Sequence, residues 1–290
     1  MQLVFDGSNL IHRVYHANKV IPVKVTSESG DDLTLVNGVL RSVAGFCNSF
    51  PSAKLFFVWG GSKQRRSSIH PEYKANQTGL PEEVKNTLPY LRECLTLLGV
   101  DQVENPNEEG DDVLASLVTQ RGGHWVIVST DEDFLQLVTP KVTLLSPKVG
   151  KREKVAYDPE AVGLRFGFPP AGIPVWKSLV GDSSDNIKGF RFRKEVATAI
   201  AKTARSVSEI LNTTEGTDKD REKLKQNEPT ISRNLTLVTL VRDCTYDLTP
   251  GALEVESFES RAKAQGMQSD AIVAPFQRAK TGGFFRTGNS

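Results

Sequence analysis

The chain has 290 residues, enough for one large domain or two smaller ones with an ample core. Its 36 Lys plus Arg against 35 Asp plus Glu leave a net charge of +1, so any nucleic-acid binding has to come from segregated charge rather than from a basic whole. The widely spaced Cys47, Cys94 and Cys244 exclude a zinc pattern and a disulfide framework and fit a reducing, cytoplasmic compartment. With no recognisable signal peptide and no apolar run near about 18 residues, neither secretion nor a membrane span is expected.

Leu3-Val4-Phe5 predicts a short buried strand that runs into Asp6-Gly7-Ser8-Asn9. An acid just past the carboxyl end of such a strand stands where open α/β sheets place ligand groups, although Asp before Gly is also an ordinary turn. Leu10 to His16 predicts a helix, and residues 20–33 a polar loop. Leu35, Val39, Val43 and Phe46 mark an amphipathic helix with Arg41 on another face. Lys54 to Trp59 is a second buried strand. The stretch from Gly60 to Arg66 is flexible and basic, and His70 to Asn76 sets Tyr73 beside Lys74. Basic groups next to an aromatic suit phosphate contact with base stacking, and equally a solvated loop. From Glu82 a stripe of Val84, Leu88, Leu91, Leu95 and Leu98 predicts a helix kinked at Pro89 and ended by Gly99.

Glu108, Glu109, Asp111 and Asp112 come within five residues and lead straight into Val113, Leu114, Leu117 and Val118 at helical spacing. Asp111 and Asp112 then fall in the first turn of a buried helix. One acid there is ordinary; four repel one another, and a divalent cation relieves that penalty. Trp125 to Ser129 is a continuous apolar strand ending in Asp131-Glu132-Asp133, followed by a short helix at Phe134–Leu137. Val142–Leu145 predicts another strand, and the alternation points to a mostly parallel sheet flanked by helices. After about residue 155 the pattern is helical. Asp158-Pro159 opens one helix, Ile173-Pro174 another that stops at Gly181, and Lys194–Lys202 a third, with Asp182 and Asp185 on the loop between the last two. Residues 212–230 read as a polar, flexible excursion, Leu235–Val241 as a last apolar segment, and the tail from about Phe276 as disordered.

Acids thus follow two strand ends, open one helix and lie on one interhelical loop. In a parallel sheet the carboxyl ends share one edge, so seven or eight carboxylates converge there. Hard oxygen ligands without His or Cys suit Mg²⁺ or Mn²⁺, and two such ions about 4 Å apart suit phosphoryl transfer.

Asp6-Gly7-Ser8-Asn9-Leu10, Tyr73-Lys74-Ala75-Asn76, Glu109-Gly110-Asp111-Asp112, Ser129-Thr130-Asp131-Glu132-Asp133 and Gly181-Asp182-Ser183-Ser184-Asp185-Asn186 occur in the order and spacing of the flap endonuclease/5′–3′ exonuclease family. Over residues 2–245 the chain resembles its phage members and the 5′-nuclease domain of bacterial DNA polymerase I. The resemblance implies a PIN-like, resolvase-like α/β core over residues 1–157 with a helical arch at about 60–98. It implies a helix–two-turns–helix duplex-binding region within 158–245, and leaves 246–290 as an extension. Asp6, Glu109, Asp111 and Asp131 match the acids around a first metal, Asp133, Asp182 and Asp185 those around a second, and Asp112 a supporting acid. Tyr73 and Lys74 match the pair at the base of the arch, the lysine helping to position or neutralise the scissile phosphate. Arg41, Arg65, Arg66, Lys188, Arg191, Arg193 and Lys194 join Tyr73 and Lys74 as expected nucleic-acid contacts. The implied cofactors are two Mg²⁺, with Mn²⁺ able to substitute. The implied partner is DNA bearing a 5′ single-stranded flap or overhang, or an RNA primer–DNA hybrid, bound by a monomer in a bacterial or phage-infected cell.

Three departures stand out. The family carries a further metal-site Asp fourteen residues before the Tyr; here that position is Trp59, and no carboxylate lies between Phe56 and Ile69. The basic residue expected three after Lys74 is Gln77. The family's potassium-binding Gly-Ile-Gly turn is replaced by Lys188-Gly189-Phe190-Arg191-Phe192-Arg193, one residue shorter, which counts against a K⁺ site. Alongside an active 5′-nuclease stand a fork- or flap-binding protein with a weakened metal site and a PIN-type ribonuclease. The third acidic cluster and the long helical region count against the last.

Overall fold

The computed structural model of the protein describes residues 1–19, 24–27, 29–147 and 154–280. The strands among them are β1 (Gln2–Asp6), β2 (Lys54–Val58), β3 (Asp101–Glu104), β4 (Trp125–Val128), β5 (Val142–Pro147), β6 (Lys154–Tyr157), β7 (Gly181–Asp182), β8 (Ile187–Lys188) and β9 (Asp247–Thr249). The chain forms two compact units, one of Met1–Trp59, Gly79–Glu104 and Tyr246–Ser290, the other of Gly60–Thr78 and Asn105–Thr245. This division differs from the expected boundary at 157/158: β4, β5 and β6 belong with the helices that follow them. Among the described residues no helix is long and apolar enough to cross a membrane.

In the first unit β1, β2 and β3 run parallel, with Val4 opposite Phe56, Phe5 opposite Phe57 and Val58 opposite Val103. The short β9 closes the β3 edge in the antiparallel sense, Val103 opposite Leu248. Leu3, Val4, Phe5, Phe56 and Phe57 are entirely buried. Both faces of the sheet are covered, which is why these strands read as continuous apolar runs rather than alternations. The helix Thr34–Ser49 supplies Val36, Val39, Leu40 and Val43 to this core. β3 escaped the sequence reading because Asp-Gln-Val-Glu has one apolar residue. Its buried Asp101 meets Lys54 at 2.7 Å and accepts from the Gly251 N–H at 3.1 Å.

The expected kink at Pro89 is instead a break. One helix is Glu82–Lys85 and the next Leu88–Leu97, with Pro89 in its first turn, where a missing N–H is harmless. A second correction concerns the end of the chain. Phe276 is buried in the helix Asp270–Lys280 with Ile272 and Val273, and Arg278 donates to Asn48 at 2.8 Å. Order therefore continues past Phe276. Gly282, Gly283, Arg286, Gly288 and Asn289 lie outside the described residues.

In the second unit β4 and β5 are parallel, Ile127 opposite Leu144, and β6 is an antiparallel edge, Leu145 opposite Ala156. The helix Gly110–Arg121 buries Val113, Leu114, Ala115 and Leu117 completely. The helices Ile173–Val180 and Lys194–Thr203 flank the two-residue strands β7 and β8, which pair Gly181 with Lys188. The backbones cross so closely there that a Cβ on Gly181 would lie 2.4 Å from the Gly189 nitrogen, and one on Gly189 2.3 Å from the Val180 oxygen. Gly181 also holds φ at 89°, so both positions require glycine. The buried Asn234 amide ties the crossing down, donating to the carbonyls of Ser178 at 3.1 Å and Lys188 at 3.0 Å.

Residues 212–230 are not a flexible excursion. Thr217 and Asp220 form a reciprocal capping box that starts the helix Asp218–Gln226, Leu224 is fully buried, and Glu228–Val238 follows at once. The capping residues were visible as letters, but a single apolar residue left no periodic stripe to anchor a prediction. Arg193 adds to the cap, its Nε donating to Asp220 at 3.1 Å. The Arg193 guanidinium, then the Thr217 hydroxyl and N–H, hold the Asp220 carboxyl well below the usual carboxylate range. A carboxyl depressed in the folded state stabilises above its unfolded pKa and loses that contribution as pH falls through the folded one. The melting-temperature gap between wild type and Asp220→Asn is therefore expected to stay constant from neutral pH down to about pH 5 and to shrink below about 3.9. Thermal unfolding followed by circular dichroism across that range checks it; a gap that widens on acidification contradicts the assignment.

Candidate active site

The second unit gathers most of the acids singled out by sequence, and each arrives on a defined element. Glu109 is the N-cap of the helix Gly110–Arg121, and Asp111 and Asp112 are in its first turn. Asp131, at the carboxyl end of β4, caps the 3₁₀ helix Glu132–Leu137 by accepting from the Asp133 N–H at 2.8 Å. Asp182 ends β7, and Asp185 lies in the turn before β8. Glu109, Asp112, Asp133 and Asp185 are buried.

Three cations hold these carboxylates. The Arg66 guanidinium, 4% exposed, donates from Nη1 to Glu109 and Asp112, both at 2.5 Å, and from Nη2 to Asp112 at 2.8 Å. Its remaining N–H groups go to the carbonyls of Leu237 at 2.7 Å and Thr239 at 3.1 Å. Asp112 accepts a further bond from the Val241 N–H at 2.9 Å. Lys74 Nζ reaches Glu109 at 3.0 Å, Asp111 at 3.3 Å and Asp185 at 3.9 Å. Its backbone takes the left-handed conformation, φ 49°, and its N–H donates to the Asp185 carbonyl at 3.0 Å. Lys177, on the helix Ile173–Val180, bridges Asp133 and Asp182, the latter at 2.6 Å.

Burial pushes the Asp185 carboxyl up to about 7, with Lys74 opposing and the charges of Asp133, Asp182 and Asp111 adding to the rise. Asp133 is raised for the same first reason, burial, against the pull of Lys177. Burial also acts on Asp182, but Lys177 and Ser184 outweigh it and hold that carboxyl below its ordinary range. Lys74 and Lys177 are desolvated, yet the surrounding carboxylates outweigh burial and keep both charged. Glu109, Asp111, Asp112, Asp133, Asp182 and Asp185 thus face Arg66, Lys74 and Lys177.

Among the described residues no three Asp, Glu, His or Cys side chains are placed to close around an ion. The donor chemistry nonetheless fits hard divalent cations. Every candidate ligand is a carboxylate oxygen, the negative charge is in excess, and burial and mutual repulsion raise Asp133 and Asp185.

Two expected roles change. Arg66 is a buried partner of the acids and not a free phosphate contact. Tyr73, 3% exposed, packs with Ile187, Leu237 and Val238 and donates from its hydroxyl to Glu109 at 3.2 Å. Its ring is closed off from base stacking. Burial raises its pKa, which keeps the phenol a donor. The other expected contacts are at the surface. Arg65 pairs with Glu108, Lys188 approaches Glu72 at 3.7 Å, Arg193 holds Asp220, and Arg191 and Lys194 are exposed. Lys177 was missed because a lone Lys on a helix carries no pattern; its spacing of five residues before Asp182 was the available signal.

In the first unit, Asp6 ends β1 and caps the helix Gly7–Asn18, accepting from the Asn9 N–H at 3.0 Å. Burial lowers the pKa of Arg13 on that helix, opposed by the charge of Asp6; this arginine also went unread. Arg41 is exposed and donates to Asn37 at 3.3 Å. Trp59, where the family resemblance placed a carboxylate, is 4% exposed. Its indole N–H donates to Gln102 Oε1 at 2.9 Å, its ring lies 4.8 Å from Phe57, and the Arg92 guanidinium covers its face at 4.0 Å. Arg92 in turn forks onto Glu104 at 2.9 and 2.6 Å, so the acid on the neighbouring strand is already committed.

Residues 1–167 match the family model of the 5′-3′ exonuclease, N-terminal resolvase-like domain. The chain is 30% identical over 263 residues to DNA polymerase I of Mycobacterium tuberculosis, covering 89% of this chain and 29% of the polymerase. It therefore spans only that minor share of such relatives. A 5′-3′ exonuclease of Aquifex aeolicus is 29% identical over 270 residues, 91% of this chain and 90% of that one. Among solved structures, a complex of the bacteriophage T5 flap endonuclease with DNA and metal ions aligns over 96% of this chain and 99% of that one, with TM-score 0.61 and 21% identity, a likeness of fold.

Removing the guanidinium strands the buried Asp112 and takes one of its cations from Glu109, so Arg66→Met is expected to destabilise by about 3–5 kcal/mol in urea unfolding. Pairing it with Asp112→Leu should recover part of that loss, because the uncompensated charge leaves with it. In the first unit, Trp59→Phe removes the indole N–H along with part of the buried ring system, leaving the Gln102 oxygen without that donor and a small void under Arg92. The expected cost is about 1–3 kcal/mol by the same measurement.

Proposed function

We propose that this chain, which belongs to the 5′-3′ exonuclease family through its N-terminal resolvase-like domain, is a divalent-metal-dependent, structure-specific 5′-nuclease. It hydrolyses phosphodiester bonds at the 5′ ends or flaps of DNA. The observation that carries this reading is the convergence of Glu109, Asp111, Asp112, Asp133, Asp182 and Asp185 on Arg66, Lys74 and Lys177, an all-oxygen donor set with excess negative charge. A polyanionic substrate cannot approach that surplus unless cations balance it.

Glu109, Asp111 and Asp131 would hold one Mg²⁺ or Mn²⁺, and Asp133, Asp182 and Asp185 a second, the grouping the family resemblance implies. Bound there, a pair of divalent ions supplies Lewis acidity at the phosphate and lowers the pKa of water. The remaining work falls to the chain's own side chains. Arg66 holds Glu109 and Asp112 in fixed orientations through bonds to the backbone at Leu237 and Thr239. Tyr73 orients one Glu109 oxygen. Lys74 stays protonated and, once its acids turn to a metal, offers its ammonium to a phosphate oxygen. Lys188, Arg191 and Lys194, exposed around the β7–β8 hairpin and the helix that follows, would contact the duplex backbone, each contact steepening the salt dependence.

The relatives support a role in DNA replication or repair: DNA polymerase I enzymes align over most of this chain, and the matching bacteriophage structure contains DNA and metal ions. A second reading, a flap-binding protein with little cleavage, rests on Trp59, which leaves the first ion without one family carboxylate.

Single-turnover cleavage of a 5′-flap substrate across a Mg²⁺ titration separates the two. Cleavage is expected to need divalent ions, to stop in excess chelator and to fall at least about 100-fold in Asp131→Ala. Tight binding of the flap without cleavage at millimolar Mg²⁺ would instead favour the second reading. The same scaffold with an RNA 5′ strand reports whether primer–DNA hybrids are substrates.

A further inference from the structure

Lys177 is the one cation of the acidic site with no counterpart in the roles assigned so far. It sits near the end of the helix Ile173–Val180, and its ammonium lies against both Asp133 and Asp182. The lysine and the two acids are largely buried, with side chains 12%, 12% and 8% exposed. Asp182 is further oriented by Ser184, whose N–H donates to its other oxygen at 2.9 Å. Asp185, the third acid of this group, is held instead by Lys74 at 3.9 Å and by Gln77 at 3.4 Å. The acids that would take the second ion are therefore divided between two ammonium groups. Lys177 holds two of the three.

An ammonium and a divalent ion compete for the same carboxylate oxygens. Lys177 cannot retreat far, because neighbouring Ser178 is fully buried and bonded back to the Val175 carbonyl at 2.7 Å. Its flexible four-carbon stem lets the charge swing aside, but not leave the vicinity.

We propose that Lys177 is a built-in counter-ion of the Asp133–Asp182 pair which the second divalent ion must displace, and that it sets the affinity of that ion. The proposal rests on the two-ion reading above and deepens it. In the metal-free protein Lys177 keeps two buried like charges together and preserves the geometry of the pair. When an ion enters, the ammonium is pushed off the oxygens and its repulsion weakens the ion's hold. Lys177 is thus a positioning residue that acts through Asp133 and Asp182.

The test is Mn²⁺ binding to the full-length chain, by isothermal titration calorimetry with bound ion counted by electron paramagnetic resonance, in the absence of DNA. Wild type is expected to bind two ions, one markedly weaker. Lys177→Met, which keeps the volume and removes the charge, should tighten the weaker ion by roughly tenfold or more. Lys177→Arg, which restores the charge, should return it to the wild-type value; a purely structural lysine would not show this pattern. Lys177→Gln gives an independent neutral variant should the Met protein fail to fold, and the same tightening is expected. Two ions bound by a folded neutral variant with unchanged or lower affinity overturn the role of Lys177 and leave the two-ion reading standing. If no variant, wild type included, binds Mn²⁺ at millimolar concentration, the two-ion reading falls and this proposal with it.

Discussion

The site in the second unit hangs on the Arg66 guanidinium. A buried charge is tolerated only when its partners and hydrogen bonds are complete, and here the fork uses five bonds to four groups: Glu109, Asp112 and the carbonyls of Leu237 and Thr239. The two carbonyls belong to the end of the helix Glu228–Val238 and the residues just after it, while the acids open the helix Gly110–Arg121. One side chain therefore ties the segment after Gly60, the acidic helix start and the late helical region into a single unit. Neutral hydrophobic replacements of matching shape could be as stable, so stability alone does not explain the charge. Orienting the two acids does.

Around that anchor the charges are unbalanced by design of the fold. Glu109, Asp111, Asp112, Asp131 and Asp133 stand at helix starts, where backbone N–H groups are unpaired and a carboxylate is locally welcome, while Asp182 and Asp185 belong to the β7–β8 hairpin. Brought together, the same acids repel, and burial first and that repulsion second raise Asp133 and Asp185. Lys74 and Lys177 relieve part of it. Lys74 does so from a left-handed backbone that also anchors it to the Asp185 carbonyl, so its position is set twice.

In the first unit, Trp59 stands where the family resemblance implies a carboxylate. Trp59 is satisfied on every side, by Gln102 at the indole N–H, Phe57 at the ring edge and Arg92 over the face. Arg92 is itself neutralised by Glu104. The position has become core, and a carboxylate there would displace packing as well as add charge.

Much of this was legible in the residues alone. Uninterrupted apolar runs announced β1, β2 and β4, because strands covered on both faces have no polar side to show. The placement of Asp6, Glu109, Asp111 and Asp131 at strand and helix ends followed from capping chemistry and strand termini, which are local rules. Other features were out of reach of local rules. β3 hides its burial behind Asp101 and Gln102, whose partners Lys54 and Trp59 lie on or just beyond another strand. The helix Asp218–Gln226 depends on Arg193 and a single buried leucine. Periodicity reports the burial of a segment's own face; it says nothing about which distant charge a buried side chain will meet. The sequence by itself determined the α/β architecture and the identity of the acids. Only the tertiary structure decided that Arg66, Lys74 and Lys177 hold them, because the partner of a buried charge is chosen by proximity across 35 or more residues in most of these pairs and not by the local pattern.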